Sequence, residues 1–174
     1  MTQPAAVLEK PPTTSGPAKL KIAWERFGYF AHELPPLFMR HWREIALNQD
    51  EVPLDPNWDR YFEYDLLGIL QTLTVRSNGV LVGYVFMLVH PHLHYASTVW
   101  AQSDIFWLDP AYRSGWTGYR MFKEVEAGMR RLGVKVVMVN TKLHFAAYRG
   151  TIGKLFERLG YKATETIFSK FIGE

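Results

Sequence analysis

The chain of 174 residues contains no cysteine. Disulfide bonds, thiolate nucleophiles and cysteine-ligated zinc are therefore excluded from its chemistry. No apolar run approaches the roughly 20 residues that a membrane-spanning helix needs, and the N-terminus lacks a basic-then-apolar secretory signal. Charge of one sign is also scarce, because the formal net charge is only +3, without the strong basic excess of a dedicated nucleic-acid binder. These absences predict a cytoplasmic protein that has neither a membrane nor a nucleic acid as its partner.

The composition that remains is typical of a globular protein. Hydrophobic residues make up 48% of the chain, aromatic residues 15% and charged residues 21%, and these proportions suit a packed core. Residues 1–18 are rich in Pro, Thr and Ser, so we expect a flexible arm there. Residues 19–174 have the usual length of one domain. The chain is therefore predicted to be one domain preceded by an arm.

Apolar periodicities predict an α/β domain with elements in the order α-α-β-β-β-α-β-α-β. Asp55 followed by Pro56 predicts the start of the second helix, and Asn78-Gly79 predicts a hairpin between the first two strands. The sheet is expected to be antiparallel first and parallel across the third helix. The predicted helices span 34–45, 55–68, 118–132 and 151–160, and the predicted strands span 69–76, 80–89, 98–108, 134–139 and 164–171.

A glycine-containing loop joins the third predicted strand to the third predicted helix. It holds Arg113, Ser114, Gly115 and Gly118. The first N–H groups of a helix lack intrahelical partners, and the helix dipole favours an anion there. Such a loop can hold a pyrophosphate. Glycine before a helix is equally common in turns that bind no ligand, so the loop by itself leaves both interpretations open.

Two segments together resemble a known family. Leu108–Gly118 (LDPAYRSGWTG) resembles the acyl-CoA-binding motif of GNAT-type N-acetyltransferases, which reads hydrophobic-x-Pro-x-Tyr-Arg and then Arg/Gln-x-x-Gly-x-Gly/Ala. Gly153–Tyr161 (GKLFERLGY) resembles the family's second motif, a helix that ends in Leu-Gly-Phe/Tyr. The resemblance covers about Leu20–Phe171. It is nearest to phage-encoded GNAT-like proteins, which share the His-Leu-His-Tyr loop and the Arg-x-Gly-x-Thr-Gly turn.

The resemblance implies a fold and an activity. The fold would be a GNAT-like α/β (α+β) domain, with a mixed and mostly antiparallel central sheet, flanked by helices and splayed between its two central parallel strands. The activity would be acyl-CoA-dependent N-acyltransfer, with acetyl-CoA as cosubstrate and an unidentified amine as acceptor. Because no cysteine exists to carry an acyl group, transfer would be direct within a ternary complex.

The resemblance also implies which residues hold the CoA thioester. A strand edge would pair with the pantetheine arm, and a backbone N–H near its end would polarise the thioester carbonyl. The loop that follows would supply amides to the pyrophosphate. The implied residues are Phe106, Trp107 and Leu108 for the edge, and Arg113, Ser114, Gly115, Trp116, Thr117 and Gly118 for the loop.

Three residues are candidates for proton transfer in such a site. Asp104 aligns with a catalytic carboxylate of some family members, although it fits a strand-edge carboxylate bound to the backbone or a cation equally well. His144 is a candidate base because imidazole titrates near neutral pH, and its alternative is a solvated loop histidine. Tyr148 is a candidate acid, since Phe156 stands where the family often has a tyrosine.

Departures from the family pattern motivate two other interpretations. Trp116 stands where the family usually has its first glycine, and Phe156 lacks a hydroxyl. A second hypothesis is therefore a GNAT-fold binding or phage virion-assembly component without turnover, located in the virion or the host cytoplasm as a homo-oligomer or within a larger assembly. A third is modification of a nucleobase amine, which would require clustered basic residues.

The histidine-rich segment His90–Tyr95 (HPHLHY) is a candidate metal site. Its three imidazoles would share one face of an extended chain, and imidazole is a common metal ligand. No carboxylate partner lies beside them, however, and Pro91 interrupts regular pairing. We therefore predict no metal and expect a loop that lines substrate or packs against the domain.

Overall fold

The structure, a computed structural model, describes residues 19–142 and 146–173, with only the backbone described for residues 146–149. Within these ranges the chain forms strands and α-helices, with short 3₁₀ turns after the first helix and after the fourth strand. The elements are β1 (Leu20–Trp24), α1 (Phe27–Phe30), α2 (Leu34–Ile45), α3 (Trp58–Leu66), β2 (Leu70–Ser77), β3 (Val80–His92), β4 (Tyr95–Leu108), α4 (Thr117–Arg131), β5 (Val136–Met138) and α5 (Ala146–Arg158).

The strands form one sheet in the order β1-β2-β3-β4-β5. Neighbouring strands from β1 to β4 are antiparallel, and β5 pairs with β4 in parallel after the α4 crossover. The predicted mixed, mostly antiparallel sheet is confirmed. The predicted hairpin is also confirmed, because Asn78 and Gly79 connect β2 to β3 with φ values of 49° and 90°, as a tight hairpin turn requires.

The N-terminal part of the domain differs from the prediction. β1 was not predicted, although it pairs over its whole length with β2. A strand of five residues carries little periodic signal, and it forms because the adjacent edge offers a partner. Helix α3 begins at Trp58 rather than near Asp55, because the Asn57 side chain accepts a hydrogen bond from the Arg60 amide at 2.9 Å and caps the helix.

The C-terminal part also corrects the prediction. Residues 164–171 form no strand, so β5 lies at the edge of the sheet rather than at its centre. Alternation of residue types does not make a strand without a partner, and β5 pairs over only three positions. Phe168 and Ile172 are consequently 91% and 87% exposed.

The hairpin between β3 and β4 is longer than predicted. β3 continues through Pro91 to His92, where the prediction ended it at residue 89 and expected Pro91 to break the pairing. A register shift beside Pro91 accommodates the missing N–H. At the tip the His92 ring packs 4.2 Å from the Trp100 ring, measured between centroids, and 5.0 Å from that of Tyr95.

The sheet is covered on both faces, and the nearly continuous apolar sequence of β3 is typical of a strand buried between two layers. From Leu81 to Met87 every residue of β3 is buried. Helix α4 packs on one face through Met121, Phe122, Val125 and Met129. Helices α1 and α2 cover the other face, where the core is largely aromatic and contains Phe27, Phe30, Phe38, Tyr84, Phe86 and Trp107. In the described part of the chain, no helix has the length and apolar character to span a membrane.

Candidate active site

The two parallel strands separate partway along β4. They pair only from Trp100 to Gln102, opposite Val136 to Met138. One position further, the Asn140 amide donates to the Ser103 side-chain hydroxyl at 3.1 Å instead of to the backbone. β4 continues to Leu108, so its last six residues face no strand on this side within the described part of the chain.

Alternation along β4 decides which backbone groups face this gap. The Asp109 amide donates to the Val82 carbonyl of β3 at 2.8 Å. Because successive residues of a strand direct their amides to opposite sides, the amides of Leu108 and Phe106 face away from β3 and into the gap. The amide of Trp107 faces β3, and its ring is only 3% exposed, in the core beneath α2.

A cavity of about 150 Å³ lies at the gap. Its walls come from α2, β4, the segment after β5 and α5. The lining residues used below are His41, Ser103, Asp104, Phe106, Asn140 and Lys142.

The Asp104 carboxylate is at the edge of this cavity. It lies at the register shift between β3 and β4 and is exposed. The Tyr61 hydroxyl donates to its Oδ2 atom at 2.9 Å. Burial of Tyr61, together with the negative charge of Asp104, raises the pKa of this phenol well above its ordinary value. Tyr61 is therefore a hydrogen-bond donor at neutral pH and holds the carboxylate in place.

The loop after β4 ends in an uncapped helix N-terminus. The Arg113 amide is engaged in a turn, donating to the Pro110 carbonyl at 3.3 Å. Gly115 then reverses the chain with φ of 73°, a conformation that glycine adopts without strain. Helix α4 starts at Thr117, and no side chain caps its first turn. Its first amides are therefore available to an anion.

The side chain of Arg113 ties this loop to α2. Its Nε donates to the Leu108 carbonyl at 2.6 Å, and its Nη2 donates to Glu44 Oε2 at 2.7 Å. The Trp107 indole N–H donates to the same Glu44 oxygen at 2.8 Å. Glu44 thus joins the end of β4, the loop and the helix. The sequence analysis assigned the backbone of Arg113 to the pyrophosphate and missed this contact of its side chain with Glu44.

The remaining loop residues surround the start of α4. Ser114 and Gly115 are exposed, and Thr117 is buried. The Trp116 ring is 71% exposed and packs edge-on against Tyr119, with 5.4 Å between centroids. A Cβ atom on Gly118 would lie 3.4 Å from the Leu155 side chain. Thr117 and Gly118 therefore lie between the exposed loop and α5.

Two of the other predicted site residues lie wholly or partly outside the described part of the chain. His144 lies outside the described residues, and the side chain of Tyr148 is not described. Phe156 is buried against Phe106 and Phe122, with centroid distances of 6.0 and 4.8 Å. In the ranges 19–142 and 146–173, no three His, Asp or Glu side chains group in a way that could hold a metal ion.

His41 is a cavity residue on α2 that the sequence analysis did not name as a site residue. It is 6% exposed, and its Nδ1 lies 2.8 Å from the Tyr84 hydroxyl. Burial lowers the pKa of His41 to about 4, helped by the positive charges of Lys142 and Arg113 and opposed by Glu44. The sequence signal for this residue is a histidine on the buried face of a helix. Its partner Tyr84 lies on β3, and no local sequence pattern connects the two.

The hydrogen-bond roles of this pair follow from burial. Tyr84 is fully buried, and burial raises the pKa of its hydroxyl far above the ordinary value. In the described residues the hydroxyl hydrogen has one acceptor, His41 Nδ1. A buried donor without an acceptor costs about 1–3 kcal/mol, so Tyr84 donates. His41 consequently carries its own proton on Nε2.

The comparisons with known proteins identify the fold. No family model matches the chain, and no curated protein matches its sequence. Solved structures do match, among them a ribosomal-protein-alanine N-acetyltransferase and a GCN5-related N-acetyltransferase. The chain therefore has the GNAT fold.

Three of these structures cover nearly the whole chain. A ribosomal-protein-alanine N-acetyltransferase from Brucella melitensis biovar Abortus 2308 is 17% identical with a TM-score of 0.65, covering 89% of this chain and 100% of that one. The aminoglycoside acetyltransferase HMB0005 from an uncultured soil metagenomic sample is 12% identical with a TM-score of 0.70, covering 89% and 99%. A predicted acetyltransferase from Clostridium acetobutylicum, solved with acetyl-CoA, is 9% identical with a TM-score of 0.62, covering 88% and 97%.

Proposed function

We propose that the protein is an acyl-CoA-dependent N-acyltransferase that transfers an acetyl group from acetyl-CoA to an amine. The observation that carries the proposal is the open edge of β4, which lies beside a cavity and leads into an uncapped helix N-terminus. Structures of the same fold include acetyltransferases, one of them solved with acetyl-CoA. These neighbours support the class of reaction and leave the acceptor open.

The chain's own groups suit an acyl-CoA thioester. The first amides of α4, with Ser114, Gly115 and Trp116 before them, would bind the pyrophosphate through unpaired N–H groups. The amides of Phe106 and Leu108 face the gap and would pair with the pantetheine amides. The one of these two N–H groups that does not pair with the pantetheine is the donor proposed to stabilise negative charge on the thioester oxygen. Arg113 would hold the loop through Glu44 instead of contacting phosphate directly.

The proposed reaction is direct attack. The neutral amine attacks the thioester carbonyl carbon, a C–N bond forms, and the C–S bond breaks to release CoA as the thiolate. Asp104 takes the proton that the amine loses, either directly or through water, and Tyr61 keeps that carboxylate oriented. Phe156 supplies no proton to the thiolate, so Tyr148 remains the proposed acid and His144 the second proposed base.

The test separates cosubstrate binding from turnover. Acetyl-CoA at millimolar concentration is expected to raise the melting temperature of the wild-type protein. Gly118→Trp should abolish that shift by filling the space at the start of α4, whereas Gly118→Ala should retain it, because its Cβ would reach only ordinary contact with Leu155. Asp104→Asn should keep the shift and lose acetyl-CoA-dependent thiol release.

Two outcomes would change the conclusion. Absence of any acyl-CoA-induced shift in the wild-type protein would refute the proposal. Binding without thiol release across a broad amine panel would instead favour the binding or virion-assembly component. Nucleobase modification gains no support from the arginines, because Arg40 is paired with Asp109 and Arg76 with Glu25 and Glu33.

A further inference from the structure

The cavity at the β4–β5 gap is lined by a buried histidine, His41, that has no part in the proposed reaction. His41 lines this cavity and is 6% exposed. Its Nδ1 is occupied by Tyr84. Its Nε2 has no hydrogen-bond partner among the described residues. Nε2 is therefore the nitrogen that His41 presents to the cavity.

This nitrogen donates and does not accept. The Tyr84 hydroxyl donates to Nδ1, which places the imidazole proton on Nε2. Burial of the ring, which contacts Tyr84 and Trp107, disfavours a second proton. The negative charge of Glu44 opposes this effect, and the positive charges of Lys142 and Arg113 reinforce it. A neutral imidazole with a protonated Nε2 cannot take a proton from an amine. His41 is thus unsuited to be the base, and Asp104 keeps that role.

The geometry points to His41 as the residue that selects the acceptor: its Nε2–H binds a carbonyl or carboxylate oxygen carried near the reacting amine. This inference rests on the proposed acyltransferase function and names the substrate class for the same cavity. Asp104 supplies the negative charge that attracts an ammonium group, and Lys142 supplies a positive charge on the wall after β5. An amine with an adjacent oxygen acceptor complements all three groups.

Tyr84 acts as a positioning residue in this scheme. It lies on β3, 43 positions from His41 in sequence, and it touches no substrate group itself. Its hydroxyl decides which imidazole nitrogen is protonated. The Trp107 ring stacks on His41 with an interplanar angle of 28° and restrains the ring orientation. The tautomer and the ring plane are therefore both set before any acceptor binds.

The experiment compares amines of equal size. Glycinamide and glycine carry a carbonyl and a carboxylate oxygen, respectively, and n-butylamine carries none. In the wild-type protein, kcat/KM from acetyl-CoA-dependent thiol release should favour at least one of the oxygen-bearing amines over n-butylamine by roughly tenfold, as expected when a buried N–H loses its partner. The glycinamide and glycine arms distinguish a neutral carbonyl from a carboxylate.

Variants of His41 and Tyr84 test whether His41 causes the preference for oxygen-bearing amines. His41→Leu should abolish the preference mainly through KM, and His41→Gln, which retains an N–H donor, should restore part of it. Tyr84→Phe should weaken the preference while leaving the acetyl-CoA-induced melting shift intact. That shift, measured for every variant, shows that each variant is folded and that the cosubstrate site is preserved.

A readout independent of turnover is the tautomer. Long-range ¹H–¹⁵N correlation spectra of ¹⁵N-histidine-labelled protein should show His41 protonated on Nε2 only, without titration between pH 8 and 5. In Tyr84→Phe this single tautomer should be lost. A proton on Nδ1 in the wild-type protein would overturn the inference.

The remaining outcomes also discriminate. Equal use of glycinamide, glycine and n-butylamine, or use of none of them while acetyl-CoA binds, would overturn the assignment of substrate class and leave the acyltransferase proposal standing. A preference that survives in His41→Leu would refute the role of His41. Absence of acetyl-CoA binding in the wild-type protein would instead refute the proposed function itself.

Discussion

Glu44 provides the sharpest test of how the fold holds the candidate cofactor loop. Its Oε2 accepts from Arg113 Nη2 at 2.7 Å and from Trp107 Nε1 at 2.8 Å. Glu44→Ala would leave the Trp107 N–H buried without an acceptor, at a cost of about 1–3 kcal/mol. Loss of the Arg113 pair adds about 1 kcal/mol, because its side chains are 31% and 18% exposed and solvent screens part of the interaction.

We therefore expect Glu44→Ala to lower the free energy of unfolding by about 2–4 kcal/mol. Glu44→Gln keeps an oxygen for Trp107 and should cost about 1 kcal/mol. Urea denaturation measures both, with Glu51→Ala, an exposed loop position, as the matched control. Acetyl-CoA affinity should fall further in the Ala variant, because Arg113 no longer anchors the loop. Equal stabilities of the Ala and Gln variants would refute the assignment of a buried bond to Trp107.

Two further predictions concern stability. Gly128→Ala should destabilise the protein by about 1–3 kcal/mol, because its Cβ would lie 2.2 Å from the Trp24 ring; Gly150→Ala in α5, where a Cβ meets nothing within 4 Å, should be neutral or stabilising in the same thermal melts. The hydrogen bond from Arg76 lowers the pKa of Glu25, so its contribution is present above the ordinary glutamate pKa and lost as the pH falls through the lowered value. The difference in free energy of unfolding between wild type and Arg76→Met, measured in urea titrations, should therefore be smaller at pH 3 than at pH 5.5. An equal difference at the two pH values would contradict this.

Local patterns were sufficient for much of the fold. The Asn78-Gly79 hairpin and the helix that follows the glycine loop depend on residues close in sequence, and both are observed as predicted. The predictions fail where a pairing partner distant in sequence decides whether a segment forms a strand. β1 exists because β2 offers an edge, and residues 164–171 lack a strand because β5 offers only three paired positions.

The residues of the candidate site also fall into those that the sequence predicted and those that it did not. The glycine loop and Asp104 were recognised from motif and spacing, and the structure places Asp104 beside the cavity and the loop at the start of α4. The Glu44 contacts and the pairing of His41 with Tyr84 were not recognised, because their partners are separated by at least 43 positions. Nothing in a helical stripe distinguishes a packed histidine from one whose second nitrogen faces a cavity.

By itself, then, the sequence determined the class of fold, the order of most of its elements and the exclusion of thiol chemistry, because these follow from composition and short-range periodicity. Only the tertiary structure decided where β4 and β5 separate, which backbone amides face the gap, and which nitrogen of His41 carries the proton. Those properties depend on strand register and on burial by residues remote in sequence. Neither is encoded in any local pattern of residues.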